Sequence, residues 1–278
     1  MKRKHFATVK LSYIFLIIYF IISVYPFIWM LLNSLKSTVE IFAENPFGLP
    51  RKWVTENYIN VFNNFKFEVY FLNSLIVAVG TVVLTCLFSL MFAYGVSRIK
   101  WKLSKLVHLY LTTGLMIPIG VVLIPLMVTA RKLNLVDSPI GLILIYTAFN
   151  VAFASTVFYG FLTTLPYELE DAASIDGAGI FRTFISIIVP LCKAPIATVG
   201  IFVFLGSWNE FTLALLLINH SEHMTLPMGL FTFFGQYGGA DWGGVFALLT
   251  LTCFPVIILY ILFSDTIEKA LTVGAVNK

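Results

Sequence analysis

Long uncharged apolar runs occupy residues 11–35, 69–97, 106–130, 138–167 and 242–264, and a sixth apolar stretch, 194–218, carries a single acid, Glu210. Each exceeds the roughly 20 residues that a helix needs to cross a bilayer core of about 30 Å. The connections show no strand-like alternation, and hydrocarbon admits only helices or closed barrels because backbone polar groups find no water there. The pattern therefore predicts an all-α, polytopic membrane protein with six transmembrane helices. A six-span domain, 11–264, is flanked by an N-terminal tail, 1–10, and a C-terminal tail, 265–278. Lys2, Arg3 and Lys4 precede the first run as they would in a signal peptide. That run is too long for an h-region and no small-x-small cleavage site follows, so it reads as a retained span.

Two polar segments carry structure of their own. In the first, about 36–69, Thr55 is placed to cap a short helix whose Tyr58, Val61, Phe62 and Phe65 recur at i, i+3, i+4 and i+7. Such a stripe is expected on the outer membrane surface, with Trp53 as an interfacial anchor. The second, 165–195, is an acidic island in an oily chain. Pro166 suits the first turn of a helix, and Glu168, Glu170 and Asp171 then fall at the positive end of its dipole. Gly177 is suited to ending it. Leu169, Ala172, Ala173 and Asp176 share one face at 3.6 periodicity, thinned by the two alanines for close approach by another protein, while Glu168, Asp171 and Ile175 take the opposite face. Ile180, Phe181, Phe184 and Ile188 then form a second amphipathic segment placed to lie back under the bundle, and Pro190 and Pro195 lead into the next span.

Composition agrees with the pattern. Hydrophobic residues make up 59% and charged residues 12% of the chain, with mean hydropathy +0.92, far from the roughly 25% charged content of soluble domains. Charge then sets orientation. Twelve Lys and Arg (Lys2, Arg3, Lys4, Lys10, Arg98, Lys100, Lys102, Lys105, Arg182, Lys193, Lys269, Lys278) fall in the tails and even-numbered loops, against six (Lys36, Arg51, Lys52, Lys66, Arg131, Lys132) on the other side. Both termini are thus expected in the cytoplasm. The Arg98–Lys105 cluster could be a lipid-specific site, but topology explains it more cheaply. The net charge of +4 reflects the same signal and gives no sign of a nucleic-acid partner. Cys86, Cys192 and Cys253 are odd in number and lie in or beside spans, so no disulfide framework is implied.

Inside the spans, Pro118 and Pro125 with Gly114 and Gly120 predict a kinked third helix. The kink either borders a pathway or improves packing. Trp208, Asn209 and Glu210 fall within the expected fifth helix, with Glu210 roughly 25 Å along it from Lys193. A carboxylate there costs about 2.5 to 3.5 kcal/mol on insertion scales, so it either faces a cavity or ties helices together by hydrogen bonds. The Gly-rich segment His220–Asp241, without Lys or Arg, is expected outside. His220, Glu222 and His223 read as an exposed polar turn rather than a metal site.

The run Glu168-Leu169-Glu170-Asp171-Ala172-Ala173-Ser174-Ile175-Asp176-Gly177-Ala178, followed by Ile188-Val189-Pro190 and Pro195, resembles the EAA loop of binding-protein-dependent ABC importer permeases, in their maltose-type carbohydrate branch. Further resemblances follow in family order. They are Glu56-Asn57-Tyr58, Asn73-Ser74-Leu75, Ala93-Tyr94 with Arg98, Ile117-Pro118 with Pro125, Leu133 to Asp137, Trp208 to Phe211, Leu226-Pro227 and Gly274-Ala275-Val276. The resemblance implies a type I importer (MetI-like) permease fold in a prokaryotic inner membrane. It makes 165–195 a coupling loop, with Glu168, Glu170, Asp171, Ala172, Ala173, Asp176 and Gly177 docking on a separate ATPase, and it gives Gly274, Ala275 and Val276 a weaker contact with that ATPase. Trp208, Asn209 and Glu210 become the translocation pathway or sugar contact. The implied partners are a homologous second permease subunit forming a heterodimer, an ABC ATPase dimer, an extracytoplasmic solute-binding protein and membrane lipid. No cofactor is expected in this chain, ATP and Mg²⁺ belonging to the ATPase. Two positions depart from the family pattern: Asp171 stands where Glu is usual, and Val276-Asn277-Lys278 where Val-Lys-Gly is usual.

The absence of any Gly-Lys dipeptide removes a P-loop, so energy must come from a partner. An ion-coupled secondary transporter is the alternative, but only Glu210 offers it an intramembrane ionisable group. A membrane-embedded enzyme lacks a nucleophile–base or metal-ligand constellation in the spans, and a channel leaves the acidic loop unexplained. The expected function is that of a permease subunit for a sugar or oligosaccharide, and not an enzyme.

Overall fold

The computed structural model describes the backbone of residues 2–99, 101–237 and 241–276, and side chains from residue 12 to 263 apart from 64, 100 and 235–240. The helices are, in chain order, α1 (Lys2–Asn33), α2 (Glu56–Asn64), α3 (Phe67–Ser97), α4 (Ser104–Thr113), α5 (Ile119–Lys132), α6 (Pro139–Leu162), α7 (Glu168–Ile175), α8 (Ile180–Thr183), α9 (Val189–Leu191), α10 (Lys193–Trp208), α11 (Thr212–Leu217), α12 (Leu226–Tyr237) and α13 (Trp242–Val276). Among the described residues there is no strand.

Four helices are long and apolar enough to cross a membrane unaided: Ser12–Asn33 of α1, α3, α6 and Trp242–Phe263 of α13. The other two expected spans are bent pairs, which bring the number to six when each pair counts once. The third is broken rather than kinked. Ser104–Met116 and Ile119–Lys132 meet at 105°, because Ile117 and Pro118 are extended (ψ 114° and 133°) and Pro118 has no N–H to carry the helix through. Pro125 is accommodated inside α5. The fifth differs more. Ile180–Leu191 and Lys193–Trp208 join at 74°, and the helix expected to run to 218 ends at Trp208. Glu210 therefore lies in a turn before α11, not within a helix.

The chain divides into two compact units. The first comprises residues 1–67 and 229–255. Its α1 span is exposed over most of its length and becomes buried at Asn33, and the segment after it is tightly organised. Asn57 Nδ2 donates to the Ser34 and Lys36 carbonyls, both at 2.9 Å. Lys36, fully buried, donates Nζ to the Asn45 carbonyl at 2.8 Å, and burial lowers its pKa, opposed by Glu40. The Trp242 amide donates to Thr38 Oγ1 at 3.0 Å. The stripe on α2 turns inward: Val61 and Phe65 are buried, Phe65 packs edge-on to Phe233, and Tyr58 Oη pairs with Ser34 Oγ at 2.7 Å. Only Phe62 of the four is exposed, so the stripe serves the core of its own unit instead of the membrane surface. Thr55 stands at the N-cap position but is already in the α region (φ −72°, ψ −18°) and makes no side-chain cap.

The second unit comprises residues 68–228 and 256–278. Its core has two clusters. One gathers Val77, Leu142, Ile145, Tyr146, Leu213 and Leu217, and the other Leu90, Tyr94, Phe158, Leu162, Ile188 and Val203. Helix α6 starts cleanly, with Pro139 in its first turn and Ser138 Oγ accepting from the Gly141 amide. A Cβ at Gly141 would run into the Leu135 carbonyl, so only glycine permits that approach. In the segment after α7, Ile188 is buried and Phe184 half-buried, while Ile180 and Phe181 are exposed. Only the second half of that expected stripe packs.

Candidate functional site

The acidic island forms the eight-residue helix α7, with Glu168, Glu170 and Asp171 in its first turn, where they complement the positive dipole end. The start lies two residues later than Pro166 suggested, because Tyr167 is the N-cap and Pro166 precedes it. The end is a Schellman turn. The Ala178 amide donates to the Ala173 carbonyl at 2.9 Å, the Gly177 amide to Ser174 at 3.0 Å, and Gly177 takes φ 77°. Nothing lies within 4 Å of where its Cβ would be, so backbone conformation alone calls for glycine here.

Burial redraws the faces of α7. Ala173 is 5% exposed, with Leu169 and Glu170 half-buried beside it, while Glu168, Asp171, Ala172, Ile175, Asp176 and Gly177 are exposed. Leu169 and Ala173 are indeed neighbours at i, i+4. Ala172 and Asp176, expected with them, belong to the outward face.

Glu170 faces inward because of Arg98. This guanidinium, its side chain 2% exposed, donates Nε to Glu170 Oε1 at 2.7 Å and Nη2 to Oε2 at 2.5 Å. Its other protons go to the carbonyls of Leu162 (3.3 Å), Leu165 (2.9 Å) and Pro166 (3.0 Å), and its plane lies 3.9 Å over the Tyr167 ring. One side chain at the end of α3 thus satisfies carbonyls left open where α6 stops and fixes α7 in a bidentate pair. Hydrogen bonding to Glu170 raises the Arg98 pKa further, against the effect of burial. In the sequence alone Arg98 reads as a topology charge. Its place just past the end of a span was visible, but the acid it grips is 72 residues away.

The turn after α10 brings together Trp208, Asn209 and Glu210 in three different settings. Trp208 is 1% exposed, stacked on Phe204 (5.7 Å, 11°) and edge-on to Phe71 (5.6 Å), so its ring sits in the core. Asn209 is exposed and donates Nδ2 to the Leu205 carbonyl at 2.8 Å. Glu210 accepts from Tyr146 Oη at 2.6 Å and from the Leu213 and Ala214 amides at 2.7 and 3.0 Å. The carboxylate ties α6 to the start of α11. Of the two roles open to it, this geometry is the tie between helices, and it leaves little of the carboxylate for carrying an ion.

A second acid, Asp137, stands in the α5–α6 connection at φ 59°. Its Oδ1 accepts from the Asn219 and His220 amides, both at 2.9 Å, Oδ2 pairs with His220 Nδ1, and His223 Nδ1 lies 3.5 Å from Oδ1. The donors, led by the His220 amide, hold Asp137 well below the usual carboxylate range, and hydrogen bonding to Asp137 raises His220. His220 is thus hydrogen-bonded to this acid, His223 lies beside it without a hydrogen bond to it, and among the described residues no group of three metal-binding side chains forms. For Gly274, Ala275 and Val276 the backbone continues α13, but their side chains lie outside the described residues.

Comparison with known proteins adds three findings. Residues 85–273 match the family described as "Binding-protein-dependent transport system inner membrane component". Among curated relatives, a diacetylchitobiose uptake system permease protein of Streptomyces coelicolor is 34% identical over 272 residues, covering 98% of this chain and 89% of that protein. A probable starch degradation products transport system permease protein of Thermoanaerobacterium thermosulfurigenes is 33% identical over 91% of each chain, and a trehalose/maltose transport system permease protein of Thermococcus litoralis is 32% identical over 92% of each. Among solved structures, a chain of a bacterial ABC transporter involved in the import of the acidic polysaccharide alginate superposes with TM-score 0.83 at 22% identity, covering 95% of this chain and 97% of that one.

Proposed function

The chain belongs to the inner-membrane components of binding-protein-dependent transport systems, and from that premise we propose that it forms half of the pathway of an ATP-driven importer for a sugar or oligosaccharide. It is a transporter permease subunit and not an enzyme. In this reading a homologous second permease supplies the other half, and a solute-binding protein delivers substrate from outside. An ATPase pair, holding ATP and Mg²⁺, drives the cycle from within, and both termini are cytoplasmic. The sugar assignment is supported by relatives whose names refer to diacetylchitobiose, starch degradation products and trehalose or maltose.

The observation that carries the reading is α7: an acidic helix gripped from behind by Arg98 and ended by a left-handed glycine. Its outward side presents Asp171, Ala172, Ile175 and Asp176. A peg anchored on one side and bare on the other fits a socket on a separate protein, and Glu168, Asp171 and Asp176 make that socket basic. Ala173 and Glu170 support the peg rather than touch the socket. In the pathway, Asn209 is the group that meets substrate, while Trp208 and Glu210 hold the turn that presents it. The test is cysteine crosslinking from positions 172 and 176 in the assembled transporter. Crosslinks to a nucleotide-hydrolysing subunit are expected, and their absence with ATPase present would overturn the reading.

A further inference from the structure

At the same end of the second unit, a cleft of about 550 Å³ lies among the end of α3, the start of α4 and the end of α6. We propose that this cleft binds the phosphate of an anionic phospholipid, with Lys102 and Lys105 as its countercharges. Both lysines line it, no carboxylate does, and neither makes an ion pair among the described residues. The nearby acid, Glu170, is already taken by Arg98, which leaves the cluster expected to serve only topology with two uncommitted cations. Ser104 opens the ten-residue α4 within the cleft; its own amide donates to the Trp101 carbonyl at 3.3 Å, so the helix adds the positive end of its dipole to the lysines.

The rest of the lining distinguishes a lipid from a free anion. Val96 and Ile99 make an apolar wall, and Trp101, 42% exposed, fixes its indole N–H on the Gly95 carbonyl at 2.9 Å, the posture of an aromatic residue at headgroup level. Leu106, Leu109 and Tyr110 continue along α4 with 59–80% exposure, a track for an acyl chain leading into the hydrocarbon. Ser97 and Thr163 donate their hydroxyl protons to the Ala93 and Gly160 carbonyls, at 2.6 and 2.8 Å. They present oxygen acceptors to the cleft, which suits a headgroup bearing hydroxyls, such as phosphatidylglycerol. Tyr167, under the Arg98 guanidinium, forms part of the same lining, so an occupying headgroup would rest against the residue that seats α7. The site depends on the fold alone and stands whether or not the substrate is a sugar.

The experiment is native mass spectrometry of the full chain after delipidation, titrated with phosphatidylglycerol, phosphatidylcholine or inorganic phosphate. Phosphatidylglycerol should be retained over phosphatidylcholine, with about fivefold loss per lysine and about thirtyfold for K102Q/K105Q. Thr163→Trp, which fills the cleft and keeps every charge, should lose binding comparably at an unchanged melting temperature. That variant separates the cleft from the general attraction of a basic surface. Equal retention in K102Q/K105Q, or full retention in Thr163→Trp, overturns the proposal. Displacement of the lipid by inorganic phosphate overturns it in favour of a soluble anion.

Discussion

Arg98→Ala should loosen α7 more than any change in α7 itself. The substitution removes five hydrogen bonds: two to Glu170 and one each to Leu162, Leu165 and Pro166. It leaves the Glu170 carboxylate, 18% exposed, without its counterion. Removing one member of a buried pair costs about 3 to 5 kcal/mol, and the lower figure applies because Glu170 keeps some exposure and two of the three freed carbonyls, Leu165 and Pro166, are only part-buried. A loss of about 3 kcal/mol raises the open population of the helix about a hundredfold. Glu170→Ala should cost less, about 2 kcal/mol, because Arg98 keeps the three carbonyls that hold it in place. The double variant should cost no more than Arg98→Ala, since the coupling sits in the shared pair. Hydrogen exchange of the peptide 168–177 in the assembled transporter reads these quantities directly. Exchange in Arg98→Ala within about twofold of wild type, or additivity of the two single effects, would refute the clasp.

Further outcomes follow from the same geometry. Gly177→Val places a β-branched residue at φ 77° and should cost about 2 kcal/mol and uncouple ATP hydrolysis from uptake, with Gly177→Asn milder because Asn tolerates this region; equal transport by both variants counts against it. Trp208→Ala should lower the melting temperature through a cost of about 3 to 5 kcal/mol, whereas Asn209→Ala should impair uptake at unchanged stability. The His220 ring, monitored by NMR, should titrate above about 6.5 and return to that value in Asp137→Asn. By sign, the raised His220 contributes below about 6.5 and is lost as pH rises through its folded value. The lowered Asp137 contributes above about 4 and is lost as pH falls through its own value, so the tie is complete between about 4 and 6.5. Gly141→Ala forces a Cβ onto the Leu135 carbonyl and should destabilise by about 2 kcal/mol or more, seen as reduced yield of folded protein.

Local chemistry was legible where it depended on neighbours in sequence. The acidic start of α7, its glycine stop and the positions of the apolar runs all follow from periodicity and turn chemistry within a few residues. What escaped depended on contacts distant in sequence. Arg98 looked like a topology charge because its partner lies beyond two whole spans, the bent α4–α5 pair and α6, and the α2 stripe looked membrane-facing because hydrophobic spacing does not say what covers it. The fifth helix was overextended for a different reason. An apolar run of 25 residues passes every length test, and the early stop at Trp208 is set by Glu210 binding the amides of the next helix, an interaction that hydropathy does not encode. The 105° break in the third span was signalled by Pro118, but its size was not.

The Arg98 clasp has a mechanical corollary. A helix hung on a slack tether would absorb a pull by paying out chain, and displacement at its tip would fade before reaching the membrane. Here the first turn of α7, the last carbonyl of α6 and the end of α3 meet on one planar cation, so any shove on α7 arrives at two spans at once, with almost no play in the linkage.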